Sequence, residues 1–166
     1  METQIVEVST SAMVLSTVPE PVSDEEALRL LQGQVTGQIP PPFESDQLLV
    51  RTGIYMGPVR VTTEVLETRP ELVEADWEDI EEYSLRLETG TISLTGFRDE
   101  PFLIGRIAAG PVDYRVRIHA KGRDINYDLA VDEPCEDYLI VLWPEPTTGS
   151  EAIKLGSDFL KAAFDA

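Results

Sequence analysis

VDYRVRIHAKGRD, residues 112–124, alternates with a period of two. Tyr114, Val116, Ile118 and Ala120 fall on one side and Arg115, Arg117, His119 and Lys121 on the other, the pattern of a strand with one face turned to a core. Gly122 ends the run as a turn. Like charges two residues apart on one strand face stand about 7 Å from each other and repel, so the basic face requires counter-charge. Four of the chain's 13 Lys and Arg residues and its one histidine lie between Arg115 and Arg123, against 31 Asp and Glu overall.

The same period recurs on both sides of this stretch. In residues 58–65, Val59, Val61, Thr63 and Val65 oppose Arg60, Thr62 and Glu64, and Met56-Gly57 reads as the tip of a hairpin from QLLVRTGIY, residues 47–55. Ile80 to Leu87 sets Tyr83, Leu85 and Leu87 on a shared face, and Thr89-Gly90 reads as a tight turn into TISLTGF. FLIGRIA, a Gly110-Pro111 turn and DYLIVLW add further strands, and the β-branched residues of 4–18 add one or two more. Eight or nine short strands separated by turn signals predict a mainly β domain, an antiparallel β-sandwich spanning residues 1–166.

Two segments depart from this period. Ser23 with Glu26 forms a capping box, Val22 and Ala27 a staple, and Gly33 a stop, which predicts a short helix over 24–32. Residues 33–46, with Pro40 to Pro42 in series, read as a loop. TGSE, Thr148 to Glu151, is a second capping box before Ala152, Ile153, Gly156, Phe159, Leu160, Ala163 and Phe164 at helical spacing, which predicts a C-terminal helix over about 149–165 packed on the sandwich.

The net charge is −18 on 166 residues. A surface so negative repels nucleic acid and anionic lipid, whose affinity for proteins comes from Lys and Arg. It attracts basic proteins and speeds their encounter. One cysteine, Cys135, excludes an intrachain disulfide. With no basic leader and no apolar run near the ~18 residues of a span, the expectation is a soluble cytoplasmic protein.

Enzyme chemistry finds little footing. The lone His119 sits mid-strand among cations, Cys135 follows Pro134 among carboxylates that disfavour a thiolate, and no phosphate-binding or nucleophile-elbow motif occurs. Zinc requires more His and Cys than the chain has, so no metal or cofactor is implied. A carboxylate pair could act as a hydrolase, but nothing singles out two among so many acids.

Two constellations remain. The basic face of Arg115, Arg117, His119, Lys121 and Arg123 is either an internal ladder neutralised by neighbouring carboxylates or a site for an anionic ligand, as in a small-molecule or adaptor module. The run Glu71 to Glu82 carries seven acids in twelve residues around Trp77. It reads as a solvated loop anchored by its tryptophan or as a contact surface of Glu74, Asp76, Trp77, Glu78, Asp79, Glu81 and Glu82 for a basic partner. It lacks the spacing and the glycine of an EF-hand. Asp132, Glu133, Glu136 and Asp137 either extend that surface or pair with the basic strand.

Asp76-Trp77, Gly90-Thr91-Ile92-Ser93, Phe102-Leu103-Ile104, and Asp137-Tyr138 running to Trp143 and Pro146 resemble the layout of the DNA-entry nuclease inhibitor (competence protein J) family. YRVRIHAKGRD followed by EDYLIVLWP also resembles a group of uncharacterised bacterial proteins. The resemblance spans residues 75 to 146. It implies a non-enzymatic binding protein, an inhibitor or immunity-type protein for a nuclease or toxin, whose acidic surface stands in for phosphates. Arg115, Arg117 and Lys121 depart from that pattern, and the first 46 residues have no counterpart in it.

Overall fold

In a computed structural model of the chain, residues 1–16, 47–87, 90–96, 101–106 and 112–165 are described. The helix expected over 24–32, the proline loop and the Gly110-Pro111 turn lie outside them. The elements are β1 (Glu2–Val8), β2 (Ala12–Ser16), β3 (Gln47–Arg51), β4 (Gly57–Val65) and β5 (Asp79–Leu87), then β6 (Thr91–Thr95), β7 (Phe102–Arg106), β8 (Val112–Lys121), β9 (Asp137–Pro144), β10 (Glu151–Leu155) and the helix α1 (Asp158–Asp165).

The strands form two sheets, a six-stranded one in the order β1-β4-β9-β8-β5-β10 and a four-stranded one in the order β3-β2-β6-β7. One continuous core joins their inner faces. The six-stranded sheet supplies Val59 and Val61, Tyr138 and Ile140, Val116 and Ile118, and Leu85 and Leu87, and the other sheet supplies Met13, Leu15, Val50, Ile92 and Leu94. Each large apolar side chain buried there is worth about 1.5–3 kcal/mol. The mainly β sandwich expected from the alternation is therefore the architecture found. Among the described residues no helix is long and apolar enough to cross a membrane.

Three local readings change. Pairing is antiparallel except between β4 and β9, which run parallel from Arg60↔Asp137 to Val65↔Leu142. Met56-Gly57 is not a hairpin tip, since β3 pairs with β2 while β4 pairs with β1 and β9, so the chain changes sheets at this point. Residues 151–155 form β10 on the edge of β5 rather than the start of a helix. The helix waits for Ser157, whose Oγ accepts the Leu160 N–H at 3.0 Å, and the Asp124 carboxylate takes the N–H groups of Asp158 and Phe159 at 2.8 and 3.0 Å. Gly156 lies so close to β5 that a Cβ there would stand 2.3 Å from the Glu78 carbonyl oxygen.

Candidate functional site

The alternation of β8 places Arg115, Arg117, His119 and Lys121 on the face of the six-stranded sheet that points away from the core. Cross-strand partners on that face are Ser84, Glu82 and Ile80 of β5, and Trp143, Val141, Leu139 and Asp137 of β9. Glu82, wholly buried, answers the repulsion expected along the stripe. Its two oxygens accept from Arg115 Nε at 2.9 Å and Arg117 Nε at 2.7 Å, and Arg69 reaches it from the preceding loop. Arg115 also donates to the Gly149 carbonyl at 2.9 Å, and Arg117 to the carbonyls of Pro70 and Glu71. Arg69 and Arg117 lie 5.2 and 5.0 Å from the Trp143 ring centroid.

Burial by itself pushes the Glu82 carboxyl up, but hydrogen bonds from Arg115 and Arg117 and the charge of Arg117 and Arg69 outweigh it and hold it below the ordinary carboxylate value. Burial pushes His119 the other way for a base, below its usual value, with Arg117 adding to the effect against a bond to the Leu139 carbonyl. The His119 ring packs 5.6 Å from that of Trp77.

Arg123, beyond the Gly122 turn, joins a second buried cluster at the end of the core. It donates to Asp79 at 3.2 Å, to Glu81 at 3.1 Å and to the Arg51 carbonyl at 3.1 Å. Tyr83 donates to Glu81, and Asp79 accepts from the Ser157 hydroxyl at 2.6 Å and the Gly156 and Ser157 N–H groups. Glu136 accepts from Gly53 N–H, Ile54 N–H and the Tyr138 hydroxyl.

Burial sorts the residues of both constellations. Arg115, Arg117, His119 and Arg123 are 1–3% exposed, so the stripe is an internal ladder and only Lys121 is substantially open to an outside anion. Asp79, Glu81 and Glu82 are likewise at most 2% exposed and cannot form a contact surface. The physical reason is that β5 is covered on both faces, by the core cluster and Arg123 on one side and by the crossing loop 66–78 with residues 148–149 on the other. The acidic run that the sequence set apart from the basic strand is, in its backbone, the cover of that strand.

Glu74, Asp76 and Glu78 do lie exposed on the loop, with Trp77 half-buried beside them. Trp77 lies against His119 and beneath Lys121, whose Nζ is 5.3 Å from its ring centroid. Lys154 Nζ pins the loop through the carbonyls of Glu74 and Trp77 at 3.0 and 2.6 Å, and Glu78 accepts the Gly122 N–H at 2.8 Å. Exposed apolar residues that the strand reading passed over accompany this rim: Leu72 and Val73 on the loop, and Tyr55, Ile125, Tyr127 and Leu129 at the end of the sandwich. The signal for the last group was present, in apolar residues recurring through a segment with turn composition.

The sequence matches no protein-family model, and no curated protein is significantly similar to it. Two solved structures share the fold. One, described as crocagin biosynthetic gene J, aligns with a TM-score of 0.53 and 15% identity over 87% of this chain and 99% of its own. The other is ComJ from Bacillus subtilis, inhibitor of the DNA-degrading activity of NucA, with a TM-score of 0.54 and 11% identity over 87% of this chain and 96% of its own. At such identities the likeness is one of fold.

Proposed function

We propose that this chain is a non-enzymatic binding protein of the inhibitor type, which neutralises a basic protein such as a nuclease or toxin by occupying its cationic surface. The observation that carries the reading is where the charges go. Among the described residues, Arg115, Arg117 and Arg123 are spent inside the fold on Asp79, Glu81 and Glu82, with Glu136 buried near them, so the buried charges nearly cancel and the interior does not take up the excess of carboxylates. An exterior of one sign steers a partner of the other. ComJ, which shares the fold, is itself an inhibitor of a nuclease activity, and that supports the same class of role here.

The contact face we assign first is the exposed part of the acidic loop, Glu74, Asp76 and Glu78 with the edge of Trp77. Its backbone is held by Lys154 and Arg117, so little ordering is required on binding. The test begins with a basic protein captured from the native host on the immobilised chain and identified by mass spectrometry. Reversing Glu74, Asp76 and Glu78 to lysine should lower the association rate constant about tenfold or more at low salt and flatten its salt dependence. Association that is indifferent both to salt and to the reversal would defeat the reading.

A further inference from the structure

The connection between β8 and β9 presents side chains that exposed loops ordinarily lack. Ile125, Tyr127 and Leu129 are 67%, 60% and 55% exposed, and Tyr55, on the loop between β3 and β4, is 45% exposed. Single exposed apolar residues are ordinary, whereas a group of them on one part of a surface marks an interaction site. The two loops are tied by backbone. Tyr55 N–H donates to the Leu129 carbonyl at 2.9 Å, Asp128 N–H to that of Gly53 at 2.8 Å and Val131 N–H to that of Met56 at 2.9 Å. They approach so closely that a Cβ on Gly53 would stand 1.9 Å from the Arg123 carbonyl oxygen, and one on Gly57 2.2 Å from that of Val131. Glu136 anchors the same loop from beneath through Gly53 and Ile54.

The exposed charge within residues 122–133 has one sign. Asp124, Asp128, Asp132 and Glu133 are exposed, while Arg123, the base of the same segment, is 1% exposed and engaged by Asp79 and Glu81. Beside Tyr127 opens a cleft of about 360 Å3 with Asp124 and Asp158 on its wall. The Phe159 ring across it already carries Arg51 and Arg123 at 5.6 and 5.3 Å from its centroid, so an incoming cation belongs on the Asp124–Tyr127 side.

We infer that loops 52–56 and 122–133 together form a docking surface for a basic protein, which seats an apolar side chain against Tyr55, Ile125, Tyr127 and Leu129 and an adjacent arginine or lysine at Asp124. The inference rests on the binding-protein reading and adds to it a second face with an apolar centre. Preorganised loops present that centre without an ordering cost, and tyrosine is among the residues that dominate interface energetics.

The probe is the blocked tripeptide arginine–tryptophan–arginine, titrated to millimolar concentration into the isotope-labelled full chain and followed by amide chemical shifts. Arginine–glycine–arginine and glutamate–tryptophan–glutamate serve as controls. Shifts confined to residues 53–56 and 122–133, given by the first peptide alone and weakened about tenfold or more in Ile125→Ser/Leu129→Ser, are the expected result. Both side chains are exposed, so that variant should keep the native melting temperature; if it does not, Leu129→Ser alone carries the comparison. Shifts centred on residues 71–78, an equal response to the acidic peptide, or no shift at all would overturn the surface. The two readings separate on a captured basic partner. If it binds Ile125→Ser/Leu129→Ser as tightly as the native chain but loses the Glu74, Asp76 and Glu78 reversal variant, the second face is wrong and the binding-protein reading stands. If no basic partner is captured while the peptide still marks these loops, the surface for a cationic, aromatic segment stands and the inhibitor reading of the whole chain loses its support.

Discussion

Glu82 accepts from Arg69, Arg115 and Arg117 at once, and no other described carboxylate faces the middle of the β8 stripe. Removing its charge leaves two nearly dry guanidiniums facing each other, the situation in which breaking a buried pair costs far more than the pair itself contributes. Glu82→Gln should lose about 3–5 kcal/mol of unfolding free energy in urea. Arg115→Ala with Arg117→Ala should also lower the melting temperature, and retained partner binding at a temperature where the variant is folded would set it apart from a ligand site. His119 gives a pH test. Its value is lowered in the fold by burial, by Arg117 and against the pull of Glu82, so the unfolded chain binds the proton first as pH falls. The contribution of His119 is thus complete above about pH 6.5 and is lost as pH drops from there toward the folded value. The stability difference between pH 7.5 and pH 5.5, conditions that lie about one unit either side of the ordinary histidine value of the unfolded chain, should shrink in His119→Gln. An unchanged difference would show that His119 is not the group responsible.

At the scale of elements, α1 buries Phe159 and Leu160 of the apolar stripe that announced a helix, while a few polar contacts set where it begins. Ser157 caps α1 and donates to Asp79, so Ser157→Ala removes an N-cap and leaves a buried carboxylate short of a donor. The cap alone is worth about 1 kcal/mol, and the lost hydrogen bond to Asp79, which keeps Arg123 and two backbone N–H donors, about 1 more, measurable by chemical denaturation. A loss no greater than that of an exposed Ser→Ala change elsewhere would refute the cap. Gly122, at φ +87°, sits where a Cβ would meet the Cys135 carbonyl oxygen at 2.3 Å. Gly122→Ala should therefore disturb both the β8–β9 connection and the exposed group of Ile125, Tyr127 and Leu129 that it carries. The helix boundary was partly legible: the period of Phe159 and Leu160 was visible, but two capping signals, TGSE and Ser157, competed. The free edge of β5 decided between them by pairing with residues 151–155.

For the whole molecule the surface charge leads. A chain carrying −18 repels itself when folded, and added salt screens exposed charges while leaving the Glu82 ladder nearly untouched. Raising sodium chloride from low to physiological ionic strength should raise the melting temperature, and a fall would mean that exposed ion pairs dominate instead. Alternation within each strand is a local property. It therefore determined the positions of β4, β5, β8 and β9, the inward set Tyr83, Leu85, Val116 and Ile118, and with them the sandwich. What lies across a face is not local. Period two cannot distinguish a face bathed in water from one covered by a loop, so the burial of Arg117 and Glu82 beneath residues 66–78 and of Arg115 beneath residues 148–149, and the sheet joined on each side of Met56-Gly57, were decided only by the tertiary path. Pairings such as Arg117 with Glu82 or Arg123 with Asp79 join residues far apart in the chain, and register and loop course, which no short window contains, bring them together.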